Sequence, residues 1–308
     1  MASTQQLRGQ PEIAPIPTSL RELCGARAVK WVGDATSGTL HPVTARLHHE
    51  RVGSAGAARW LLLTHGIYGA GANLRAVARR VVERRPEWGI VLVDLRGHGR
   101  SELGAPPYDL AACAGDLCAL AGELGGVEAL AGHSFGGKVV LVAREQLRPR
   151  QTWVLDSTPS ARPGFSDEAN TVVRVLELME RLPRTWPRRE DFIAAVVADG
   201  QVPSLAQWLA MNLAPETGGG FALRLDLAAM RALLVDYYER DLWSSLDDPQ
   251  LGEVEIVIAD RSGTVSAADR ARLAAAPPHV HVAHVDAGHW LHVDAPAAVA
   301  ELFATRLP

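Results

Sequence analysis

The chain has 308 residues and a formal net charge of −4 at pH 7, from 31 Lys and Arg against 35 Asp and Glu. Hydrophobic residues make up 47% of it, which is enough for one large core, with or without an inserted domain. The slightly acidic balance argues against a general nucleic-acid-binding protein.

The cysteine content and the N-terminal residues indicate the cellular compartment of the protein. Cys24, Cys113 and Cys118 do not form a disulfide framework or a plausible metal site, so ordinary buried thiols are expected. No apolar run approaches the ~18 residues of a membrane span. Residues 1–25 lack the apolar stretch of a secretory signal. They are expected to form an N-terminal arm, and the protein is expected to be cytoplasmic.

From residue 57 onward, short apolar strands alternate with helical segments. Strands are predicted at 59–64, 90–94, 127–131 and 152–155, with helices at 74–84, 110–124 and 138–147. Short, continuously apolar strands are typical of parallel sheets that are covered on both faces. Ligands of such sheets bind beyond the carboxyl ends of the strands.

Between residues 161 and 250 the pattern predicts helices without intervening strands. Apolar residues from Val172 to Leu182 follow helical spacing, Ser204 and Gln207 form a capping box, and Asp226 can cap a further helix. The alternation then resumes, with strands at 253–259 and 279–285 and helices at 267–275 and 297–306.

The predicted fold is therefore α/β, a mostly parallel doubly wound sheet with a helical cap inserted after the sixth strand. The core comprises residues 26–160 and 251–308, and the cap comprises residues 161–250.

The sequence Gly132-His133-Ser134-Phe135-Gly136 is a G-x-S-x-G motif between a predicted strand and a predicted helix. The bare motif arises often by chance, but this position is typical of a nucleophile elbow, in which a sharp turn exposes the serine hydroxyl. The glycines are needed because side chains there would collide across the turn. Ser134 is therefore the candidate nucleophile.

A serine nucleophile needs a base and a site for the developing oxyanion. His289 lies between the last predicted strand and the last helix, in a turn that faces the elbow in this topology. The backbone N–H groups of Ile67, in the turn after the strand at 59–64, and of Phe135 form a candidate donor pair. His65, His98 and His133 lie in loops near strand ends and are interpreted as hydrogen-bonding scaffold.

Two carboxylates at strand ends could orient His289. Asp156 follows the strand at 152–155, and Asp260 follows the strand at 253–259 in the sequence EIVIADRSGTVS. Asp260 also opens Asp-Arg-Ser-Gly, with Asp and Gly at the outer positions of a type I turn, where an Asp side chain bonds its own backbone. The residues alone leave both carboxylates open.

The segments HGIYGAGANL, DLRGHGRS, GHSFGGK and AGHWLHVDAP, in this order and spacing, resemble the α/β-hydrolase superfamily over about residues 57–308. Within it, LDSTP and ADRSGTVS are most similar to the YbfF-type bacterial esterases and their eukaryotic mitochondrial relatives. That resemblance implies that Asp156 is the acid, with Asp260 as the alternative, and that Ser262 is a helper near His289.

The predicted function is a serine carboxylic-ester hydrolase without a cofactor or metal, acting on small-molecule esters through an acyl-enzyme intermediate. Tyr68 and Trp290 flank the predicted site, with His133 beside them as a further candidate contact, and the cap residues Trp208, Met211, Trp243 and Tyr237 are candidates to roof an apolar pocket. Packing within the cap would also explain those four.

The same residues would also suit a thioesterase, C–C hydrolase, lyase or acyltransferase. The alternative that is not an enzyme is a ligand receptor or pseudoenzyme. No feature of the sequence indicates an oligomeric state.

Overall fold

The computed structural model describes residues 31–33, 40–42, 45–54 and 56–308, so the expected arm at residues 1–25 and Cys24 lie outside the described residues. A seven-stranded sheet forms the centre. Its strands in chain order are β3 (His49–Val52), β4 (Arg59–Thr64), β5 (Trp88–Val93), β6 (Ala129–His133), β7 (Gln151–Leu155), β11 (Glu253–Ala259) and β12 (Val280–Val285). Across the sheet their order is β12-β11-β7-β6-β4-β5-β3. Apart from this sheet, β1 (Trp31–Gly33) pairs antiparallel with β2 (Leu40–Pro42).

Six strands of this sheet run parallel, and β3 pairs antiparallel with β5 at one edge. The middle strands are apolar throughout because both of their faces are covered; all six residues of β5 are buried. The predicted strands agree with the observed ones to within two residues. The strand β3 was not predicted from the sequence, because it is short and carries charged side chains.

The helices cover both faces of the sheet. On one face, α1 (Arg75–Arg84) packs with α10 (Pro296–Arg306) in an apolar cluster that includes Val77 and Phe303. On the other face, α2 (Leu110–Glu123) and α3 (Phe135–Leu147) contribute to a second cluster with Leu117 and Val139. Two short helices complete the last part of the chain, α8 (Ala267–Ala274) and α9 (Leu291–Asp294).

The segment 161–250 follows β7, which is the fifth of the seven strands in chain order, whereas the sequence analysis expected it after the sixth. It is mostly helical, and its apolar residues join the same cluster as α2 and α3. Its helices are α4 (Thr171–Arg181), α5 (Arg189–Ala198), α6 (Pro203–Ala210) and α7 (Leu227–Glu239).

Two details of this segment depart from expectation. It also contains a small antiparallel sheet of β8 (Thr185–Trp186), β10 (Phe221–Leu223) and β9 (Leu213–Pro215), whose strands are too short for periodicity to show. The predicted capping box at Ser204 is wrong, because α6 begins at Pro203, whose fixed φ and missing N–H suit the first helical position. The predicted cap at Asp226 is confirmed: its carboxylate accepts from the N–H of Ala229 at 2.9 Å.

Candidate active site

The carboxyl ends of three parallel strands bring together side chains that are far apart in the sequence. Ser134 follows β6, Asp156 follows β7, and His289 lies in the turn after β12. The Nε2 of His289 is 2.9 Å from the Oγ of Ser134, and its Nδ1 is 2.6 Å from Oδ2 of Asp156. The three groups thus form one continuous hydrogen-bonded chain.

Ser134 occupies a strained backbone turn between β6 and α3. Its φ of 53° and ψ of −116° lie in a region that non-glycine residues rarely adopt. The turn is tight enough that a Cβ at Gly132 would lie 2.0 Å from the carbonyl oxygen of Gly136. A Cβ at Gly136 would lie 2.5 Å from Oγ1 of Thr64. Glycines on both sides of Ser134 are therefore a steric requirement of this turn.

Asp156 is held by the neighbouring strand β11. Its N–H donates to the carbonyl of Val257 at 2.7 Å, and its Oδ1 accepts from the N–H of Ala259 at 3.1 Å. The side chain is fully buried, and the residue has a positive φ of 44°. One carboxylate oxygen is thus fixed by β11, which leaves the other oriented toward His289.

Asp260 lies elsewhere, on the surface. Its Oδ1 is 2.7 Å from Nδ1 of His284 and 3.7 Å from Nη1 of Arg270. The turn there is closed by the N–H of Ser262 donating to the carbonyl of Ala259. The predicted turn that begins at Asp260, with its side chain bonding its own backbone, is therefore wrong, because the turn begins one residue earlier and the carboxylate pairs across to β12.

Thr264 contacts His289, and the sequence analysis missed it. Its Oγ1 is 3.0 Å from Nδ1 of His289, and it also accepts from the hydroxyl of Ser262 at 3.0 Å. Ser262 thus reaches His289 only through Thr264. The loop between β11 and α8 carries three hydroxyl residues, Ser262, Thr264 and Ser266, and the register of the turn decides which of them faces the imidazole.

Two backbone N–H groups flank Ser134 without an acceptor among the described residues: those of Ile67 and Phe135. The loop that carries Ile67 is fixed through Tyr68. The hydroxyl of Tyr68 donates to the carbonyl of Val172, and the backbone carbonyl of Tyr68 accepts from Nδ2 of Asn212 at 2.9 Å. Tyr68 is itself buried and has a φ of 61°.

Buried histidines surround these loops. The Nε2 of His133 donates to the carbonyl of His289 at 2.8 Å. His65 accepts at Nε2 from the N–H of Leu95 and donates from Nδ1 to the carbonyl of Gly66. Burial lowers the pKa of His65 to about 4, and it lowers that of His133 well below its usual range. These imidazoles are therefore neutral scaffold around His289.

Two cavities meet at Ser134 and His289. The first, of about 240 Å³, is largely apolar and is lined by four of the candidate substrate contacts: Tyr68, His133, Trp208 and Trp290. The rings of Trp208 and Trp290 lie 5.4 Å apart between centroids. The second, of about 480 Å³, is lined on its polar side by Arg162, Asn170, Arg261 and Thr264.

The other aromatic and sulfur side chains named in the sequence analysis are placed differently. Tyr237 lines the second cavity. Trp243 is buried, with its indole N–H donating to Oγ of Ser160 at 2.7 Å, and it lines neither cavity. Met211 is 57% exposed and lies outside both cavities.

In the described part of the chain, His, Cys, Asp and Glu side chains form no group of three or more that could hold a metal ion. None of the helices there combines the length and apolar character that a membrane span requires. Cys113 is buried as expected, and Cys118 is half-buried.

Similar proteins carry the names of esterases and lipases. A zebrafish (Danio rerio) protein named sn-1-specific diacylglycerol lipase ABHD11 is 26% identical over 289 residues, which cover 91% of this chain and 87% of that protein. Lipase LipV of Mycobacterium tuberculosis is 28% identical over 270 residues, covering 85% of this chain and 97% of its own length.

Solved structures share the fold. A marine microorganism esterase superposes with a TM-score of 0.76 at 20% identity, covering 86% of this chain and all of that one. The structure of E-2-(acetamidomethylene)succinate hydrolase superposes with a TM-score of 0.65 at 23% identity, covering 84% and 94% of the two chains. The model of the Alpha/beta hydrolase family matches residues 61–302. Together with the parallel sheet and its strand order, this match shows that the chain belongs to the alpha/beta hydrolase family.

Proposed function

We propose that this protein is a serine hydrolase of small carboxylic esters, with Ser134, His289 and Asp156 as its catalytic triad. The observation that carries the proposal is the hydrogen-bonded chain from Ser134 Oγ through both nitrogens of His289 to Asp156 Oδ2. A serine hydroxyl is a weak nucleophile unless a base takes its proton, and this chain supplies the base in a fixed orientation.

The proposed reaction proceeds in two halves. Ser134 Oγ attacks the ester carbonyl while His289 Nε2 takes its proton, and Asp156 stabilises the imidazolium that results. The N–H groups of Ile67 and Phe135 donate to the oxyanion, and each such donor contributes about 3 kcal/mol to the transition state. His289 then protonates the leaving alcohol, and in the second half it deprotonates the water that hydrolyses the acyl-enzyme. No cofactor takes part in these steps.

We assign the segment 161–250 as the cap of the site. Trp208 from α6 and Val172 and Val175 from α4 close the first cavity against Trp290 of the core. An apolar cavity of about 240 Å³ suits a small acyl group, with Tyr68 and His133 as further contacts. The names of the relatives as lipases favour carboxylic esters as the bond that is cleaved. The loop sequences LDSTP and ADRSGTVS favour the YbfF-type branch of esterases.

A fluorophosphonate probe tests the proposal directly. The probe phosphonylates a serine only when a base has activated it, so the folded protein should be labelled at Ser134, and Ser134→Ala should abolish the labelling. The matched control is Ser157→Ala, which removes a buried hydroxyl one residue beyond Asp156 and outside the hydrogen-bonded chain. An unlabelled, folded wild-type protein would refute the serine-hydrolase proposal.

A further inference from the structure

Arg162 places a guanidinium in the cavity that the candidate nucleophile also lines. Its side chain lies in the wall of the second cavity, which also contains Ser134 and His289. Its Nη1 donates to the carbonyl of Thr264 at 3.2 Å, and the guanidinium lies over the ring of Tyr238 at 5.3 Å from the centroid. These contacts hold the group in place from two sides.

No carboxylate of the described residues forms an ion pair with this guanidinium, and its Nε is buried without a hydrogen-bond partner. Two fully buried guanidiniums allow a comparison: Arg96 pairs with Asp116 at 2.6 Å, whereas Arg144 has no carboxylate partner among the described residues and donates to the backbone carbonyls of Ser245 and Gly252. Arg162 differs from both because it is half-buried and lines a cavity that also contains Ser134 and His289. An immobilised guanidinium that has no protein anion, placed next to reacting groups, is suited to bind an anion from the substrate.

The charges around the cavity limit the anion to a single negative charge. Arg261 lines the same cavity, but it forms an ion pair with Asp286 at the surface. Asp167 also lines it, and its Oδ1 accepts from the N–H of Ala169. One unpaired guanidinium with a carboxylate nearby matches a monoanion better than a phosphate dianion.

We propose that the second cavity is a carboxylate subsite, so that the preferred substrates are esters with an apolar group in the first cavity and a carboxylate bound by Arg162. This inference rests on the proposed ester hydrolysis and adds the chemical class of the substrate. The carboxylate belongs either to the acyl half or to the alcohol half of the ester, because both cavities contain Ser134 and His289.

Two matched pairs of esters test the subsite. For the acyl half, para-nitrophenyl hydrogen adipate is compared with para-nitrophenyl hexanoate. For the alcohol half, para-butyryloxybenzoate is compared with para-butyryloxybenzamide. In the pair whose carboxylate reaches Arg162, Arg162→Gln should lower kcat/KM for the anionic ester about 10- to 100-fold. It should change kcat/KM for the neutral ester of that pair less than about threefold. Arg162→Lys should recover part of the loss.

Arg188→Gln is the control for loss of one positive charge, because Arg188 is a surface residue of the segment 161–250, paired with Asp191. It should leave both ratios unchanged. Arg162 also bonds the backbone of Thr264, so a purely structural role would lower kcat/KM for both members of each pair equally, and that result would overturn the subsite. Equal anionic-to-neutral ratios in wild type and Arg162→Gln would overturn it too.

Failure of the subsite is distinguishable from failure of the proposed function. If the wild type hydrolyses the neutral esters but Arg162→Gln alters no ratio, only the subsite is wrong. If the wild type hydrolyses none of the four esters and Ser134 is not labelled by a fluorophosphonate, the ester-hydrolase proposal itself fails.

Discussion

Asp156 Oδ2 lies 2.6 Å from Nδ1 of His289, although 133 residues separate the two in the sequence. The carboxylate reaches the imidazole from the end of β7, because the N–H of Ala259 on β11 holds its other oxygen. Asp260, at the end of β11 itself, instead pairs with His284 on the surface. The geometry therefore favours a triad acid one strand away from Asp260.

The first prediction concerns these two carboxylates. Asp156→Asn should lower kcat on an activated ester about 10³- to 10⁴-fold, because an amide at this position no longer stabilises the imidazolium. Asp260→Asn is the matched control and should stay within about threefold of wild type, since its partners are surface groups. Steady-state kinetics on para-nitrophenyl butyrate would compare them. A large loss in Asp260→Asn with a small one in Asp156→Asn would reverse the assignment.

The candidate site shows which features a sequence can reveal. That Ser134 and His289 would lie together could be predicted because their positions follow from strand order, and parallel strands place their carboxyl ends at one edge. Thr264 was missed because a shift of one residue in a turn changes which hydroxyl faces the imidazole. The lack of a carboxylate partner for Arg162 among the described residues could not be predicted for a related reason: whether a guanidinium is paired depends on the packing of α7 and of the loop at Thr264, which no local pattern encodes.

The bounds of the strands in the central sheet could be predicted to within two residues, except for β3. Their long apolar runs are dictated by burial on both faces. The small sheet of β8, β9 and β10 escaped prediction because strands of two or three residues carry no measurable periodicity. Local sequence therefore predicts the buried layer better than it predicts the segment above the site.

The hydroxyl pair beside His289 gives the second prediction. Thr264→Val removes the oxygen 3.0 Å from Nδ1 while keeping the shape of the side chain, and it should lower kcat about 2- to 10-fold. Thr264→Ser should restore most of the activity. Ser262→Ala should have a smaller effect, because Ser262 reaches the imidazole only through Thr264. The rate of fluorophosphonate labelling provides a second readout, and a larger effect from Ser262→Ala than from Thr264→Val would contradict this order.

The tight turn at Ser134 makes a third prediction, about stability. Gly132→Ala would place a Cβ 2.0 Å from the carbonyl oxygen of Gly136, against backbone that cannot move aside. We expect a loss of about 3 kcal/mol or more in the free energy of unfolding, measured in urea. Gly263→Ala is the control, because nothing lies within 4 Å of the added Cβ there. Equal stability of the two variants would mean that the turn is not tightly packed.

The buried histidines make stability depend on pH, which is the fourth prediction. Burial lowers the pKa of His65 and of His292 to about 4 and that of His98 to about 3. In the unfolded chain these groups take up protons below about pH 6.5, whereas the folded protein does not. The unfolded state therefore binds more protons as the pH falls from about 6.5 to 4, and stability falls with it. Each fully shifted group contributes about 1.4 kcal/mol per pH unit.

Urea unfolding at pH 7 and pH 5 measures this slope. Nδ1 of His98 contacts the carbonyl of Arg96 at 2.8 Å, and His98→Asn keeps a side-chain N–H near that carbonyl. The variant should lower the dependence of stability on pH by the contribution of one histidine. Gly263→Ala, which changes no titratable group and adds a Cβ with nothing within 4 Å, should leave the slope unchanged. A wild-type protein equally stable at both pH values would show that the buried imidazoles do not cause a loss of stability at low pH.

The last prediction concerns the first cavity. Trp208 of α6 and Trp290 both line it, and their rings pack together, so Trp208→Ala should lengthen the space available to an acyl chain. Each methylene that becomes buried contributes about 0.8 kcal/mol, or roughly fourfold in kcat/KM, so the preferred acyl length of para-nitrophenyl esters should increase. Trp186→Ala is the matched control, because Trp186 packs against Phe192 away from both cavities. An unchanged length preference in Trp208→Ala would place the acyl group in the second cavity instead, beside Arg162.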